Sequence, residues 1–300
     1  MFKGNFCFGK TKVNILREIK SSNLDYKKIY SKTGIKYIYR SSDHQNTLTL
    51  GVKAAKNFIR NREIEGLIYV SQSPHSLIPS SGSIIHRELN LNNNCFVLDI
   101  VQGCSGFPYA LSIASNLINS SQLKNCLIIC SETYTKYIDK KNKNCLPIFS
   151  DAASAIFLEK KNNPKLLASI YLTDGKGEKN LILKNKKKLF MHGSNVFTFT
   201  AEQVPIATEQ LLKKSKLKKE DIALFVYHQA SKVVLDFIRN KLNIPSKKFV
   251  YDMGEYGNTV SSSIPIALLR SKNKIKKNKP ILIMGFGVGY SLCGGIYKFD

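Results

Sequence analysis

The chain has 300 residues, 43% of them hydrophobic, and a formal net charge of +25 at pH 7. This length suffices for one large domain or two moderate ones with a buried core. A run of about 18 apolar residues and the apolar segment of a signal peptide are both missing, so neither a transmembrane helix nor a signal peptide is expected.

Hydrophobic periodicity predicts an α/β chain. Residues 1–45 read as polar and irregular, with a short helix near 23–30. The predicted strands that follow are 67–70, 95–100, 126–130, 152–158, 168–172, 181–183, 222–227, 249–252, 280–284 and 290–299. The predicted helices are 48–58, 83–89, 104–118, 197–212, 232–242 and 261–271.

The second half of the chain repeats the first at a nearly constant spacing. Strands near Leu67 and Phe96 correspond in this way to strands near Leu224 and Phe249. The recurrence predicts a gene duplication, with two similar α/β halves, 1–160 and 161–300, packed about a pseudo-dyad. Loops after corresponding strands would then lie where open α/β sheets place their sites.

The seven cysteines favour a reduced protein. They are odd in number, and they form no CxxC pair or metal-type cluster with histidine. Free thiols, no metal site and a cytoplasmic location are therefore expected.

Three lysine-rich stretches, 185–188, 213–219 and 272–279, carry much of the positive charge. Solvated surface is their simplest interpretation, and an acidic protein partner or a nucleic acid would also fit. Nucleic acid is the weaker of these two, because no zinc-finger, RRM or KH signature accompanies the charge.

Cys104 is the first candidate site residue. It follows a predicted strand and a glycine turn, and it opens a predicted helix. Unpaired N–H groups and the helix dipole at such a position favour a thiolate over a thiol. Cys104 is thus either a nucleophile that carries an acyl group or one of seven cysteines that simply packs.

Three further segments follow predicted strands, and they contain His228, Asn258 and the glycine loop 285–289. His228 could act as the base for a thiol or as a donor to an oxyanion, and Asn258 is a neutral donor. Each of these could also be structural: a hydrogen-bonded histidine, an asparagine required for its backbone, or a tight turn. Each segment alone is a weak signal of a catalytic site, whereas the four segments together, in this order along the chain, are a specific one.

The chain resembles β-ketoacyl-acyl carrier protein synthase III, of the thiolase superfamily, from about Thr33 to the C-terminus. The resemblance places a Cys-His-Asn triad on Cys104, His228 and Asn258, and it implies a duplicated thiolase-like fold with five α-β-α-β-α layers. The similar segments are Thr33–Ile35, Asp99 with Cys104–Phe107, Phe149–Ala153, Met191–Gly193 with Val196–Phe197, His228–Ala230, Gly257–Thr259 with Ser262, Pro265–Leu268 and Gly285–Gly287.

The resemblance implies a two-stage reaction with acyl-CoA and malonyl-acyl carrier protein as substrates and no permanently bound cofactor. Cys104 takes the acyl group, and His228 and Asn258 hold the malonyl thioester oxygen while CO₂ leaves. The carbanion then attacks the acyl-enzyme. Backbone N–H groups of Cys104 and of the Gly287–Val288 loop would form a second oxyanion hole. The resemblance also implies a homodimer.

Departures from the family pattern concern the substrate-binding surface. The family's CoA-adenine sandwich aligns with Lys28 and Lys143, and the chain has no tryptophan. The sandwich is therefore absent, which leaves the acyl donor open. The resemblance implies Lys232 and Lys241, on the helix after His228, as contacts for the carrier protein.

Two departures lie nearer the thiol. Val288 stands where the family usually has a smaller residue. Its backbone N–H can donate to the second oxyanion hole only if its φ is negative, because a β-branched residue resists positive φ. Ile78-Pro79 stands where the family often has Phe-Pro, which implies a different acyl pocket.

A non-condensing acyltransferase that uses Cys104 as its acyl carrier is the main alternative. The presence of both His228 and Asn258 favours condensation instead. A 3-hydroxy-3-methylglutaryl-CoA synthase also needs a glutamate base, and residues 71–76 contain none. A further alternative is a non-enzymatic protein that binds nucleic acid through its basic surface. Its affinity for nucleic acid would then fall steeply as the salt concentration rises.

Overall fold

The computed structural model describes residues 3–20, 25–56, 58–60, 62–139, 142–185 and 188–299. Parts of the predicted helix 23–30 and of the basic stretch 185–188 lie outside the described residues. The strands are β1 Lys3–Phe8, β2 Thr11–Asn14, β3 Tyr37–Arg40, β4 Gly66–Val70, β5 Phe96–Ile100, β6 Asn125–Glu132, β7 Ala152–Glu159, β8 Lys165–Thr173, β9 Leu181–Lys184, β10 Lys188–Met191, β11 Leu224–Tyr227, β12 Pro280–Gly287 and β13 Ser291–Lys298. The α-helices are α1 Ile15–Lys20, α2 Tyr26–Thr33, α3 Thr47–Lys56, α4 Ser81–Glu88, α5 Gly106–Asn119, α6 Gly193–Ser215, α7 Lys232–Lys241 and α8 Ser263–Arg270.

Two mixed sheets form the centre of the molecule. The first has the strand order β1-β7-β6-β4-β5, and the second has the order β11-β12-β13-β8. β4 runs parallel to β5 and β6, and β11 runs parallel to β12, whereas the other pairs in these two sheets are antiparallel. The first sheet is built within Lys3–Glu159 and the second within Lys165–Lys298.

The strands bury side chains on both faces because helices cover both sheets. On β4, Ile68 and Val70 pack toward the layer between the sheets, while Leu67 and Tyr69 face α3 and α4. This two-residue alternation is the geometry of a pleated strand. On the second sheet, residues of β11 alternate in the same way between the central layer and the core under α6 and α7.

Helices α5 and α8 fill the layer between the two sheets and contact both of them. The buried face of α5 includes Phe107, Leu111 and Ile118, at the three-to-four spacing expected of a helix. Five layers result, α-β-α-β-α, so the predicted α/β, thiolase-like architecture is confirmed.

Three local predictions are wrong. The N-terminal residues are not irregular, because Lys3–Phe8 form β1 and pair with β7. This segment contains glycine and asparagine, which are depleted in strands, and its pairing with a distant strand supplies what local propensity lacks. The predicted strand 249–252 forms only an isolated bridge, from Phe249 to Phe225. The predicted glycine loop is strand as far as Gly287.

Candidate active site

Cys104, His228 and Asn258 line one cavity of about 570 Å³. The three residues are buried, with exposed fractions of 6%, 2% and 4% respectively. Cys104 follows β5, in the first sheet, and His228 follows β11, in the second. Asn258 lies on the segment that bridges to Phe149. Both halves of the chain therefore contribute to this cavity, and the three residues that the sequence suggests for a triad are brought together.

The close approach of β12 fixes the position of Cys104. A Cβ atom on Gly285 would lie 2.3 Å from the backbone oxygen of Cys104, and one on Gly287 would lie 3.1 Å from its Sγ atom. A side chain at either position would collide with the loop or crowd the thiol, which explains glycine inside this strand. The end of β12 thus passes directly beside the Cys104 thiol.

Replacing Gly285 with alanine is expected to displace the Cys104 loop, since the new methyl group overlaps a backbone carbonyl. Overpacking of this kind costs about 1–3 kcal/mol of stability. Denaturant unfolding measures this cost, and acyl loading of Cys104 should fall with it. Gly175→Ala is the matched control, because a Cβ atom there meets nothing within 4 Å. Equal unfolding midpoints for the two variants would contradict the prediction.

His228 is held as a neutral imidazole. Burial lowers the pKa of His228 to about 3, so the ring carries no charge at physiological pH. Its Nδ1 atom lies 2.6 Å from Oγ of Ser263, and its Nε2 atom lies 3.4 Å from Nδ2 of Asn258. A hydroxyl can donate or accept, so Ser263 is compatible with a proton on either ring nitrogen.

The amide of Asn258 has a defined orientation. Its Oδ1 atom accepts a hydrogen bond from the backbone N–H of Val260 at 2.9 Å. The backbone of Asn258 is itself bound on both sides, by donation to Ile148 O and by acceptance from Ser150 N. With Oδ1 occupied, the Nδ2 group is left as a donor on the side of His228. Two neutral donors can therefore face a developing negative charge in this cavity.

Comparisons with known proteins identify the family of this chain. Residues 98–175 match the family profile "3-Oxoacyl-[acyl-carrier-protein (ACP)] synthase III", and residues 212–299 match the profile of its C-terminal part. The chain is 33% identical over 294 residues to beta-ketoacyl-[acyl-carrier-protein] synthase III of Clostridium novyi, covering 91% of this chain and 90% of the relative. The chain belongs to the 3-oxoacyl-[acyl-carrier-protein] synthase III family.

Other relatives agree with this assignment. A Lactococcus lactis synthase III is 32% identical, and the match covers 87% of each chain. The crystal structure of synthase III from Aquifex aeolicus superposes with a TM-score of 0.92 at 26% identity, covering 99% of this chain and 100% of that one. The protein is thus a condensing enzyme of the acyltransferase class, as predicted.

A strained turn in this synthase III chain anchors Asn258. Val260 has a φ of 54°, a value that β-branched residues rarely adopt. Ser262 Oγ donates to Cys130 O at 2.8 Å, and Ser261 Oγ donates to Glu132 Oε1 at 2.7 Å. These two bonds tie the turn to β6, and they hold Val260 where its N–H meets the side chain of Asn258.

Glu132 is a buried acidic residue that lies outside the cavity lining of this synthase III chain but close enough to influence Cys104. The sequence pattern did not reveal it. Besides Ser261, it accepts hydrogen bonds from Ser73 Oγ at 2.5 Å and from the backbone N–H of Gln72 at 3.0 Å. Burial raises the pKa of Glu132 to about 7. Its one sequence signal is an acidic residue at the end of an otherwise apolar strand.

The Cys104 thiol is neutral in the substrate-free protein. Burial, together with the nearby charge of Glu132, raises the pKa of Cys104 well above its ordinary value. The thiolate predicted from the sequence is therefore wrong for this state. Cys104 precedes α5, which begins at Gly106, and its burial disfavours a charged sulfur.

The raised pKa predicts the pH dependence of Cys104 alkylation. Because the thiolate is the reactive form, the rate with iodoacetamide should keep rising past about pH 10, where an ordinary cysteine, of pKa about 8.5, has already levelled off. Peptide mass spectrometry after short exposures measures this rate at Cys104 alone, and free cysteine is the reference. A plateau at or below about pH 10, as for free cysteine, would contradict the prediction.

Val288 does not have a positive φ, so its backbone N–H meets the condition stated above for a hydrogen-bond donor.

The implied CoA contacts Lys28 and Lys143 both line the cavity at exposed positions. Lys32 lines it too, one helical turn after Lys28, a spacing on α2 that the sequence could have revealed.

The two lysines suggested for carrier-protein contact lie on α7, outside the lining of the cavity. Lys232 is exposed, but its Nζ atom is paired with Asp236. Lys241 is exposed at the end of the helix. Between them, Val233 and Phe237 expose 43% and 36% of their surface.

Two further predictions can be compared with the described residues. None of the described helices is both long and apolar enough to cross a membrane. The described part of the chain also contains no group of three histidine, cysteine or acidic residues placed to hold a metal ion.

Proposed function

We propose that this enzyme loads an acyl group from an acyl thioester onto Cys104 and condenses it with malonyl-acyl carrier protein to give a β-ketoacyl product. The observation that carries the proposal is the shared cavity, in which one buried thiol meets two neutral donors, His228 and Asn258. The product would start a fatty acid or a specialised acyl chain.

In the acylation step, Cys104 Sγ attacks the thioester carbonyl and the donor's thiol leaves. His228 can accept the thiol proton at Nε2 while its Nδ1–H is bound to Ser263, and it returns this proton to the departing sulfur. Backbone N–H groups of Cys104 and Val288 are the proposed donors to the oxyanion. Gly287 permits this approach, because it leaves room beside Sγ.

In the condensation step, the malonyl thioester loses CO₂ and its thioester oxygen gains negative charge. Between the two steps, Nδ1 of the imidazole loses its proton and Nε2 gains one by exchange with solvent, and the Ser263 hydroxyl turns to donate to Nδ1. Nε2–H then donates to the thioester oxygen alongside Asn258 Nδ2. The enolate carbon then attacks the acyl carbonyl, the C–S bond breaks, and Cys104 leaves as a thiolate that takes up a proton from solvent. No cofactor takes part in this scheme.

The basic surface fits the proposed substrates. Lys28, Lys32 and Lys143 lie at exposed positions along the cavity and suit the phosphates of CoA or of a phosphopantetheine arm. The exposed face of α7, with Lys241 beside Val233 and Phe237, is the proposed contact for an acidic carrier protein. Lys232 is the weaker candidate, since Asp236 already pairs with it. Nucleic acid is not proposed as a partner.

A homodimer is proposed from the edge of the first sheet. β5 is an edge strand, and Phe96 on it exposes 38% of its surface. Val101, directly after β5, exposes 57% of its surface, and Ile78, in the loop before α4, exposes 94%. Such an apolar edge is suited to pairing with a second copy.

Two further parts of the proposal concern location and domain organisation. Seven free cysteines support a cytoplasmic location. The two separate sheets support a division of the chain into two halves, 1–160 and 161–300.

Intact-mass spectrometry of the protein with a panel of acyl-CoA and acyl-carrier-protein donors tests the proposal. One acyl mass on Cys104, followed by a β-ketoacyl product and CO₂ after addition of malonyl-carrier protein, is the expected result. Failure of every donor to modify Cys104 would refute it. Acyl transfer to an acceptor without CO₂ release would identify the non-condensing acyltransferase instead.

A further inference from the structure

Glu132 lies at the end of β6, between the loop that follows β4 and the turn that contains Asn258. Its side chain is fully buried, and none of the ion pairs in the described part of the chain includes it. A buried carboxylate without a cation beside it is costly unless its oxygens are hydrogen-bonded. Neutral donors must therefore hold this group in place.

Both carboxyl oxygens of Glu132 accept hydrogen bonds from backbone donors. Oε1 accepts from the N–H of Gln72 at 3.0 Å, and Oε2 accepts from the N–H of Ser73 at 3.1 Å. Three hydroxyls complete the set, those of Ser261, Ser73 and Ser71, at 2.7, 2.5 and 3.5 Å. A backbone N–H can only donate. An amide at position 132 would therefore place its NH₂ group against one of these N–H groups in either orientation, so the site is specific for a carboxyl group.

The Gln72 side of this network reaches the nucleophile. The Oε1 atom of Gln72 accepts a hydrogen bond from the Tyr134 hydroxyl, and a Cβ atom on Gly103 would lie only 2.2 Å from it. Gly103 directly precedes Cys104 in the chain. Glu132 therefore holds the residue against which the Cys104 loop packs.

The Ser261 side of the network reaches the proposed oxyanion donor. Ser261 follows Val260, whose backbone N–H donates to Oδ1 of Asn258 at 2.9 Å. Of the two bonds that tie this turn to β6, the one from Ser262 goes to a backbone carbonyl, whereas the one from Ser261 goes to the Glu132 side chain. Glu132 is thus in contact with both segments, the one behind Cys104 and the one that carries Asn258.

We infer that Glu132 is a positioning residue that sets the place of Asn258 relative to Cys104, and that it acts on Asn258 through the Ser261 hydroxyl. The inference rests on the proposed function, because the place of Asn258 matters for the loss of CO₂ from the malonyl thioester. Glu132 does not line the cavity, so it can act on the reaction only through the residues that it holds. A displacement of about 1 Å at a catalytic group can slow a reaction about 100-fold.

Steady-state CO₂ release from malonyl-carrier protein, with the acyl donor in excess, tests the inference in Ser261→Ala and Ser73→Ala. Each variant removes one buried hydroxyl from the same carboxylate, but only Ser261 lies on the turn that contains Asn258. Ser261→Ala is expected to lower kcat at least about 10-fold while KM for malonyl-carrier protein and acyl loading of Cys104 stay within a few-fold of the parent. Ser73→Ala is the matched control. It should keep kcat within a few-fold, because two backbone N–H groups still bind its loop to Glu132.

Glu132→Gln extends the test to the positioning residue itself. It should lower kcat at least as far as Ser261→Ala does. In the Ser261→Ala background it should lower kcat by a smaller factor than in the parent, because the contact with the turn is already lost. Thermal unfolding establishes whether the glutamine variant is folded, and if it is not, the two serine variants decide.

Three outcomes would overturn the inference: equal kcat in the two serine variants, a change confined to KM, or independent effects of the Glu132 and Ser261 substitutions. Each of them leaves the proposed function intact, since the parent still releases CO₂. A parent protein that takes up an acyl group but releases no CO₂ would instead refute the proposed condensation, and the inference with it.

Discussion

Replacing Cys104 with alanine is expected to abolish acyl loading and to lower condensation by at least about 1,000-fold. The covalent intermediate cannot form without the thiol, and losses of this order follow removal of a nucleophile. Intact-mass spectrometry after incubation with an acyl thioester should show no added acyl group on the variant. His228 and Asn258 remain in place, so slow release of CO₂ from malonyl-carrier protein should persist.

Cys145→Ala is the matched control for this experiment. Cys145 is buried in the same apolar cluster as Cys104, but it does not line the cavity. Its replacement removes a thiol of similar burial and should leave acyl loading within a few-fold of the parent. If the Cys104 variant gained an acyl mass as fast as the parent, the nucleophile would have to be another residue.

The three residues proposed for catalysis could be singled out in the sequence because their signals are local. Cys104 and His228 each follow the end of a strand, and Asn258 stands in a turn marked by a glycine of positive φ. The alternation of strands and helices is also a local property, which is why the layered architecture could be foreseen. β1 escaped prediction, since its stability comes from pairing with β7, about half the chain away.

The supporting residues could not be predicted, because their roles arise from contacts between distant segments. Glu132 and Ser261 are 129 positions apart, and Tyr134 and Gln72 are 62 apart. Neither pair forms a recognisable motif. The ionisation of Cys104 follows the same logic: proximity to a helix start is visible in the sequence, whereas burial and the charge of Glu132 depend on the folded chain.

Replacing Asn258 with alanine is expected to leave acyl loading of Cys104 nearly intact and to slow decarboxylation by about 100–1,000-fold, as removal of one oxyanion donor does elsewhere. In the proposed mechanism, the loading step uses the thiol and backbone donors, whereas charge on the malonyl oxygen develops in front of His228 Nε2 and Asn258 Nδ2, which lie 3.4 Å apart. CO₂ release and acyl mass, measured on the same sample, separate the two steps. Equal loss of both would contradict the role assigned to Asn258.

The alanine variant also removes the acceptor for the Val260 N–H, so a structural collapse of the strained turn must be distinguished from loss of a donor. Asn258→Asp makes this distinction, since it keeps an oxygen for Val260 but replaces the Nδ2 donor with an acceptor. If the donor matters, decarboxylation should fall at least as far as in the alanine variant while thermal stability stays closer to that of the parent. If only the turn matters, the aspartate variant should retain decarboxylation, and the oxyanion role of Asn258 would be untenable.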